Sequence, residues 1–163
     1  MDSISAIGLF DVVEHIENDL EFLETVNSYL EVNGHDYITV PAFNFLRSKE
    51  DIDAGHFKRY SKKEIETVLV NANFEIKFST YIFSILPIAV FIFRTLPYKI
   101  GLTKKSISLT EHKKDHQTKN GIFDSILNTI WNFELIRIKK GISFPFGGSC
   151  LVVAIKNKPS HLK

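Results

Sequence analysis

Apolar and polar positions along this chain follow two periods, and the switches between them mark out the elements. A short apolar run, "AIGLF" at 6–10, reads as a buried strand, its brevity favouring a strand over a helix fragment. Asn18 followed by Glu21 has the spacing of a capping box, and Leu20, Leu23, Val26 and Leu30 then recur on one helical face. Asn33-Gly34 is expected to end that helix, because Gly accepts the left-handed conformation needed just past a C-terminus. "DYITVPA", 36–42, is β-rich and nearly all apolar in its middle, which predicts a strand buried on both faces and stopped by Pro41. Residues 43–60 lack a clean period and are expected to form one long loop, a length that usually carries function or disorder. Ser61 and Glu64 form a second capping box, followed by a core face of Ile65, Val68, Leu69 and Ala72. "NFEIKFSTY", 73–81, alternates Phe74, Ile76 and Phe78 with Glu75, Lys77 and Ser79, the period of a strand with one wet face.

The second half is less regular. Residues 81–98 form an apolar segment expected to be helical, and 99–121 a basic, poorly periodic stretch expected to be a mobile linker. A helix is expected over about 122–138, with Ile122, Ile126, Ile130 and Phe133 on its apolar side and a basic last turn suited to the helix dipole. The turn "FPFGG" then leads into a last strand, "SCLVVAIK". Helices alternating with strands imply an α/β fold, a mainly parallel sheet with helices on its faces, in one domain spanning 1–163. Ligands of such sheets sit at the carboxyl ends of the strands, so Phe10 to His15 and Pro41 to Phe45 should line one crevice.

Composition narrows the class. The chain has 163 residues, 44% hydrophobic, enough for one domain with a core. The single Cys150 excludes an internal disulfide framework and suits a reducing, cytoplasmic compartment, where an inert buried thiol is the simplest role. No Lys or Arg precedes Arg47, so the basic start of a signal or transit peptide is not there. Residues 1–46 carry nine acidic side chains and no Lys or Arg, leaving ten acidic and twenty basic beyond them. Such asymmetry can mark a nucleic-acid or membrane-surface partner, but acidic residues also gather where a helix N-terminus favours them, and that is the preferred explanation. The apolar run "YIFSILPIAVFIF" is broken by Pro87 and closed by Arg94, too short for a span of about 20 residues. Buried packing, a cap over an apolar pocket and peripheral contact with a membrane surface all remain open for it.

The segments "AIGLFDVVEHIENDLEFLETV", "YITVPAFNFL", "AGHFKRYSKKEIETVLVNANFEI" and "FPFGGSCLVVAIK" together resemble the C-terminal half of a class I S-adenosylmethionine-dependent methyltransferase. The resemblance covers residues 4–98 and 122–156. It implies a partial Rossmann-like sheet, equivalents of the fourth to seventh strands with the last antiparallel. The first three strands of that family are absent, as are its Gly-rich turn after the first strand and the acidic residue that would hold the ribose hydroxyls. The resemblance therefore implies a truncated or split enzyme whose cofactor is S-adenosylmethionine but which binds it weakly or not at all as this isolated chain. Asn73 stands where relatives often place Gly, and can take the same left-handed turn.

By the resemblance, Phe10, Asp11 and Val12 border the cofactor, and Glu14 and His15 face the acceptor, where His15 could take a proton from the nucleophile. The bland alternative is that Glu14 and His15 only decorate the loop. His56, Arg59, Tyr60 and Phe43 are the expected substrate contacts, in a flap over the site, with a surface turn packed on the domain as the alternative. His112 and His116 have i, i+4 spacing but Lys neighbours and no third ligand, so no metal is assigned. Nothing in the pattern supports nucleic-acid binding. The expected partners are a small-molecule or lipid-like acceptor, and either an N-terminal half or a second copy of the chain joined through the exposed edge of the first strand. The competing expectation is a non-catalytic remnant serving as an interaction or membrane-surface module.

Overall fold

The computed structural model describes residues 3–84 and 121–157. Its order is β1 (Ile4–Phe10), α1 (Asp19–Tyr29), β2 (Leu30–Pro41), α2 (Lys49–Asp53), α3 (Lys62–Asn71), β3 (Phe74–Ile82), α4 (Gly121–Lys139) and β4 (Ser149–Lys156). Single 3-10 turns stand at Val13–His15 and Asn44–Leu46. Among the described residues the expected strands and the helices after Asn18, after Ser61 and up to Lys139 are present, and so is the α/β class, with a mixed four-stranded sheet ordered β1-β2-β4-β3. β4 inserts between β2 and β3 and pairs antiparallel with both, so only β1 and β2 form a parallel pair. β1, β2 and β3 share a direction and the last strand is reversed, as the resemblance implied; because β4 lies between β2 and β3, two of the three ladders are antiparallel, more than alternation of strands and helices alone suggests.

One face of the sheet carries the core. Leu9, Ile38, Val40, Cys150, Val152, Ala154 and Phe74 meet Leu23 and Val26 of α1 and Ile65, Leu69 and Ala72 of α3 in one cluster. Each large apolar side chain removed from water there contributes about 1.5–3 kcal/mol. The opposite face is more open, with Tyr37 39% exposed and ring-stacked on His35. β2 is therefore not buried on both faces as its apolar middle suggests; its period-2 pattern follows one helical layer.

The caps behave as their sequences require. Asn18 Oδ1 accepts from Glu21 N, and Ser61 Oγ accepts from Glu64 N while Glu64 accepts from Ser61 N. α1, however, stops at Tyr29, ahead of Asn33-Gly34. Asn33 takes its left-handed conformation (φ 65°) inside β2, at a bulge where β1 advances from Ile4 to Ala6 while β2 advances from Leu30 to His35. A Cβ on Gly34 would lie 2.8 Å from the Glu31 carbonyl oxygen, so the bulge needs that glycine. Asn73 is left-handed as expected (φ 64°).

A second bulge, between Ile76 and Phe78 of β3, corrects the alternation drawn for that strand. It moves Phe78 to the open face and brings Ser79 round to α3, where its hydroxyl donates to Glu66. The 43–60 excursion is also more ordered than its sequence suggests, since it contains α2 and a 3-10 turn. In α4 the side buried among the described residues is Glu134, not Phe133, which is 54% exposed. The Glu134 carboxylate accepts from the backbone N–H of Phe83 and Ser84 and from the Ser84 hydroxyl, tying α4 to the end of β3. Of the 81–98 segment, Tyr81 and Ile82 are strand rather than helix, and residue 121 of the proposed linker is helical. Residues 85–120, with His112 and His116, lie outside the described residues.

Candidate functional site

The chain turns sharply after β1 because Asp11 adopts φ 52° and is held there by Thr39. Its N–H donates to the Thr39 carbonyl at 3.0 Å and hydroxyl at 3.1 Å, and the hydroxyl donates to Asp11 Oδ1 at 3.2 Å. These bonds fix the carboxyl ends of β1 and β2 side by side, so the crevice drawn from sequence has its two walls together. Phe10 stands at the rim, 62% exposed, and Val12 packs against the core.

The following 3-10 turn delivers Glu14 inward and His15 outward. Glu14 is 1% exposed, and neither carboxylate oxygen has a hydrogen-bond partner among the described residues. Burial raises its pKa, Asp11 adding to that, against the lowering effects of the residue's own backbone amide and of His56 and His15. The Glu14 carbonyl accepts from Phe57 N at 2.8 Å, which draws the 43–60 excursion over the turn. His56 thereby reaches His15, the ring centroids 4.7 Å apart and edge-on.

Asp51 organises this excursion from within. Its Oδ2 accepts from Ser48 N at 2.8 Å, and its Oδ1 accepts from Arg59 Nε at 2.8 Å and lies 2.9 Å from His56 Nδ1. Burial works against its ionisation, but Arg59, the Ser48 backbone and His56 outweigh it and hold the carboxyl below its usual range. The sequence reading missed Asp51. Its signal was Ser48 three residues ahead of it, a capping spacing hidden by the aperiodic stretch around it.

The expected substrate contacts are thus brought to one end of the sheet but not to one role. The Arg59 guanidinium is engaged by Asp51 and by the Ala42 carbonyl at 3.2 Å. Tyr60 is 1% exposed and donates to Asp19 Oδ2 at 2.9 Å; burial first, and Asp19 next, push its phenol well above the usual range. Phe43, left-handed at φ 58°, stacks on Tyr81 and Phe146 at 4.8 and 5.0 Å and forms an aromatic wall with Phe45. An open groove lined by Lys58, Arg59, Ser61, Lys63, Glu64 and Thr67 runs along α3, and none of Glu14, His15 or His56 lines it.

No family model and no curated protein matches the sequence. Solved structures do resemble the fold. A chain from the complex of a Haloferax volcanii methyltransferase activator with a methyltransferase is 13% identical (TM-score 0.52), the match covering 99% of this chain and 57% of that one. A Haemonchus contortus phosphoethanolamine N-methyltransferase, solved with phosphomonomethylethanolamine and S-adenosylhomocysteine, is 12% identical (TM-score 0.51), covering 95% and 34%. A Bacillus halodurans protein assigned as a methyltransferase is 17% identical (TM-score 0.50), covering 96% and 65%. At such identities the likeness concerns the fold, and the chain has a class I methyltransferase-like fold. It spans from about a third to just under two thirds of the length of these proteins.

Proposed function

We propose that this chain supplies the acceptor side of an S-adenosylmethionine-dependent methyl transfer to a small-molecule or lipid-like acceptor, in the cytoplasm. The observation that carries the reading is the joining of β1 and β2 at their carboxyl ends by Asp11 and Thr39, with Glu14, His15 and His56 gathered beside them. S-adenosylmethionine, when bound, supplies an electrophilic methyl group. The residues present fit one wall of its site: the exposed Phe10, the left-handed Asp11 and Val12. No Gly-rich turn follows a strand in this sequence to cradle the rest. On the acceptor side, the exposure of His15 supports a role in taking up a proton released by an attacking nucleophile, and the Phe43 wall offers apolar contact. Alignment of the acceptor supplies most of the rate.

Titration calorimetry with the isolated 163-residue chain is expected to show S-adenosylmethionine binding weaker than about 100 μM. For methyl transfer itself, the native protein isolated from its source should move a radiolabelled methyl group into an extractable small molecule, about tenfold or more slowly with His15→Ala. Labelling that His15→Ala leaves untouched overturns the assignment of His15.

A second reading, a non-catalytic interaction module, draws on β1. It is an edge strand with Ile4 44% and Phe10 62% exposed, a rim suited to a further strand from an N-terminal half or a second copy. That reading predicts stoichiometric capture of a partner by a protein that transfers no methyl group.

A further inference from the structure

We propose that Glu14, His15 and His56 form a binding site for a divalent first-row transition ion, Zn²⁺ being the best match, with Asp51 as a positioning residue behind His56. This goes beyond the methyl-transfer reading and does not depend on it.

One donor atom from each of the three side chains lies within 4.8 Å of the others. Around tetrahedral zinc such atoms stand about 3.3 Å apart, so side-chain rotation of roughly an ångström closes the set. The backbone already holds the two contributing segments together through Phe57 N and the Glu14 carbonyl.

The second observation is Glu14 itself. Both of its oxygens are buried and unpartnered among the described residues, 1% of the residue being exposed. A buried carboxylate without a hydrogen bond is unfavourable by more than a neutral polar group would be. A cation between Glu14 and the two imidazoles removes that cost.

The third is the state of His56. Its Nδ1 is engaged by Asp51, which leaves Nε2 with its lone pair free to ligate, the usual carboxylate–histidine arrangement behind a metal. Asp51 is fixed in turn by Ser48 N and Arg59 Nε, so the ring is oriented by groups that do not themselves ligate. Arg59 is the nearby cation, and its charge is answered by Asp51 directly.

The donor set decides the class of ion. Two imidazoles and one carboxylate suit Zn²⁺, Co²⁺ or Fe²⁺, whereas Mg²⁺ and Ca²⁺ prefer all-oxygen shells. Three protein ligands leave a coordination position open, and the exposed His15 side is the way in. With an ion seated His15 is a ligand; the proton-accepting role proposed for it above belongs to the metal-free chain.

The test is Zn²⁺ titration of the metal-stripped chain against a chromophoric chelator, with Co²⁺ absorption as a report on geometry. Wild type should bind about one Zn²⁺ with Kd near 1 μM or tighter and give visible Co²⁺ bands. Glu14→Gln, His15→Ala and His56→Ala should each weaken binding at least tenfold, and Asp51→Asn about tenfold. His35→Ala, at the other end of β2, should leave it unchanged. His15 is exposed, so its variant keeps the fold and remains informative if the buried ones unfold. Absence of saturable Zn²⁺ binding by wild type, or binding that His15→Ala leaves intact, overturns the proposal, whatever the outcome for methyl transfer.

Discussion

His56 Nδ1 and Asp51 Oδ1 stand 2.9 Å apart, and the same carboxylate oxygen accepts from Arg59 Nε. One buried acid thus fixes two side chains that come five and eight residues after it, along with the Ser48 backbone that starts its own helix. Asp51→Ala leaves the half-buried Arg59 without its counter-charge and is expected to destabilise the fold by about 3–5 kcal/mol in urea unfolding. Asp51→Asn should cost less. Equal stability of wild type and Asp51→Ala would show the excursion to be held elsewhere.

Asp36 is fully buried, neither of its oxygens having a hydrogen-bond partner among the described residues, and burial pushes its pKa from 3.8 up to about 7, only partly offset by the nearby Tyr37 backbone amide. The folded state therefore binds this proton more tightly than the unfolded chain. The site's contribution is fullest below about pH 4 and is lost as pH rises to about 7, a change of up to about 4 kcal/mol. Other carboxylates titrate too, so the quantity to measure is the stability of Asp36→Asn minus that of wild type. It should be near constant at low pH and grow in favour of the variant between pH 4 and 7; a flat difference across that range contradicts the prediction.

Gly147 lies in the turn before β4, where an added Cβ would come 2.3 Å from the Ile82 carbonyl oxygen. Backbone cannot yield as a flexible side chain would. Gly147→Ala is expected to lower stability by about 3 kcal/mol and to loosen the Gly148 N–H bonds to Ile82 and Phe83, visible as faster amide exchange there.

Cys150 is fully buried in β4 next to the Tyr60 carbonyl, and burial lifts its thiol to about 12. Native protein should react with a thiol reagent only at its unfolding rate, and urea should restore full reactivity. Rapid labelling of the folded chain would mean that β4 opens locally.

The caps, the left-handed Asn73 and the α1 and α3 core faces were legible because each depends on residues only three or four positions apart. What the sequence misread depends on partners far along the chain. Asn33-Gly34 is a turn signal that serves a bulge rather than a helix end, because β1 fixes where β2 begins to pair. Phe78 and Ser79 exchange faces through a bulge that no alternation pattern reports. In the site, Glu14 and His15 were visible next to a strand end, but their meeting with His56 requires the Phe57–Glu14 bond and the Asp51 brace, neither of which has a sequence period.

The placement of β4 bears on how this chain folds. β1, α1 and β2 follow one another directly and can associate as soon as they exist, whereas among the described residues β3 has no strand neighbour until β4, which begins at Ser149, arrives between it and β2. β4 works as a keystone. Closing it spans the long interval after Ile82, so the slow step should be this late, non-local insertion, and during synthesis β2 and β3 wait with open edges until residue 156 has been made.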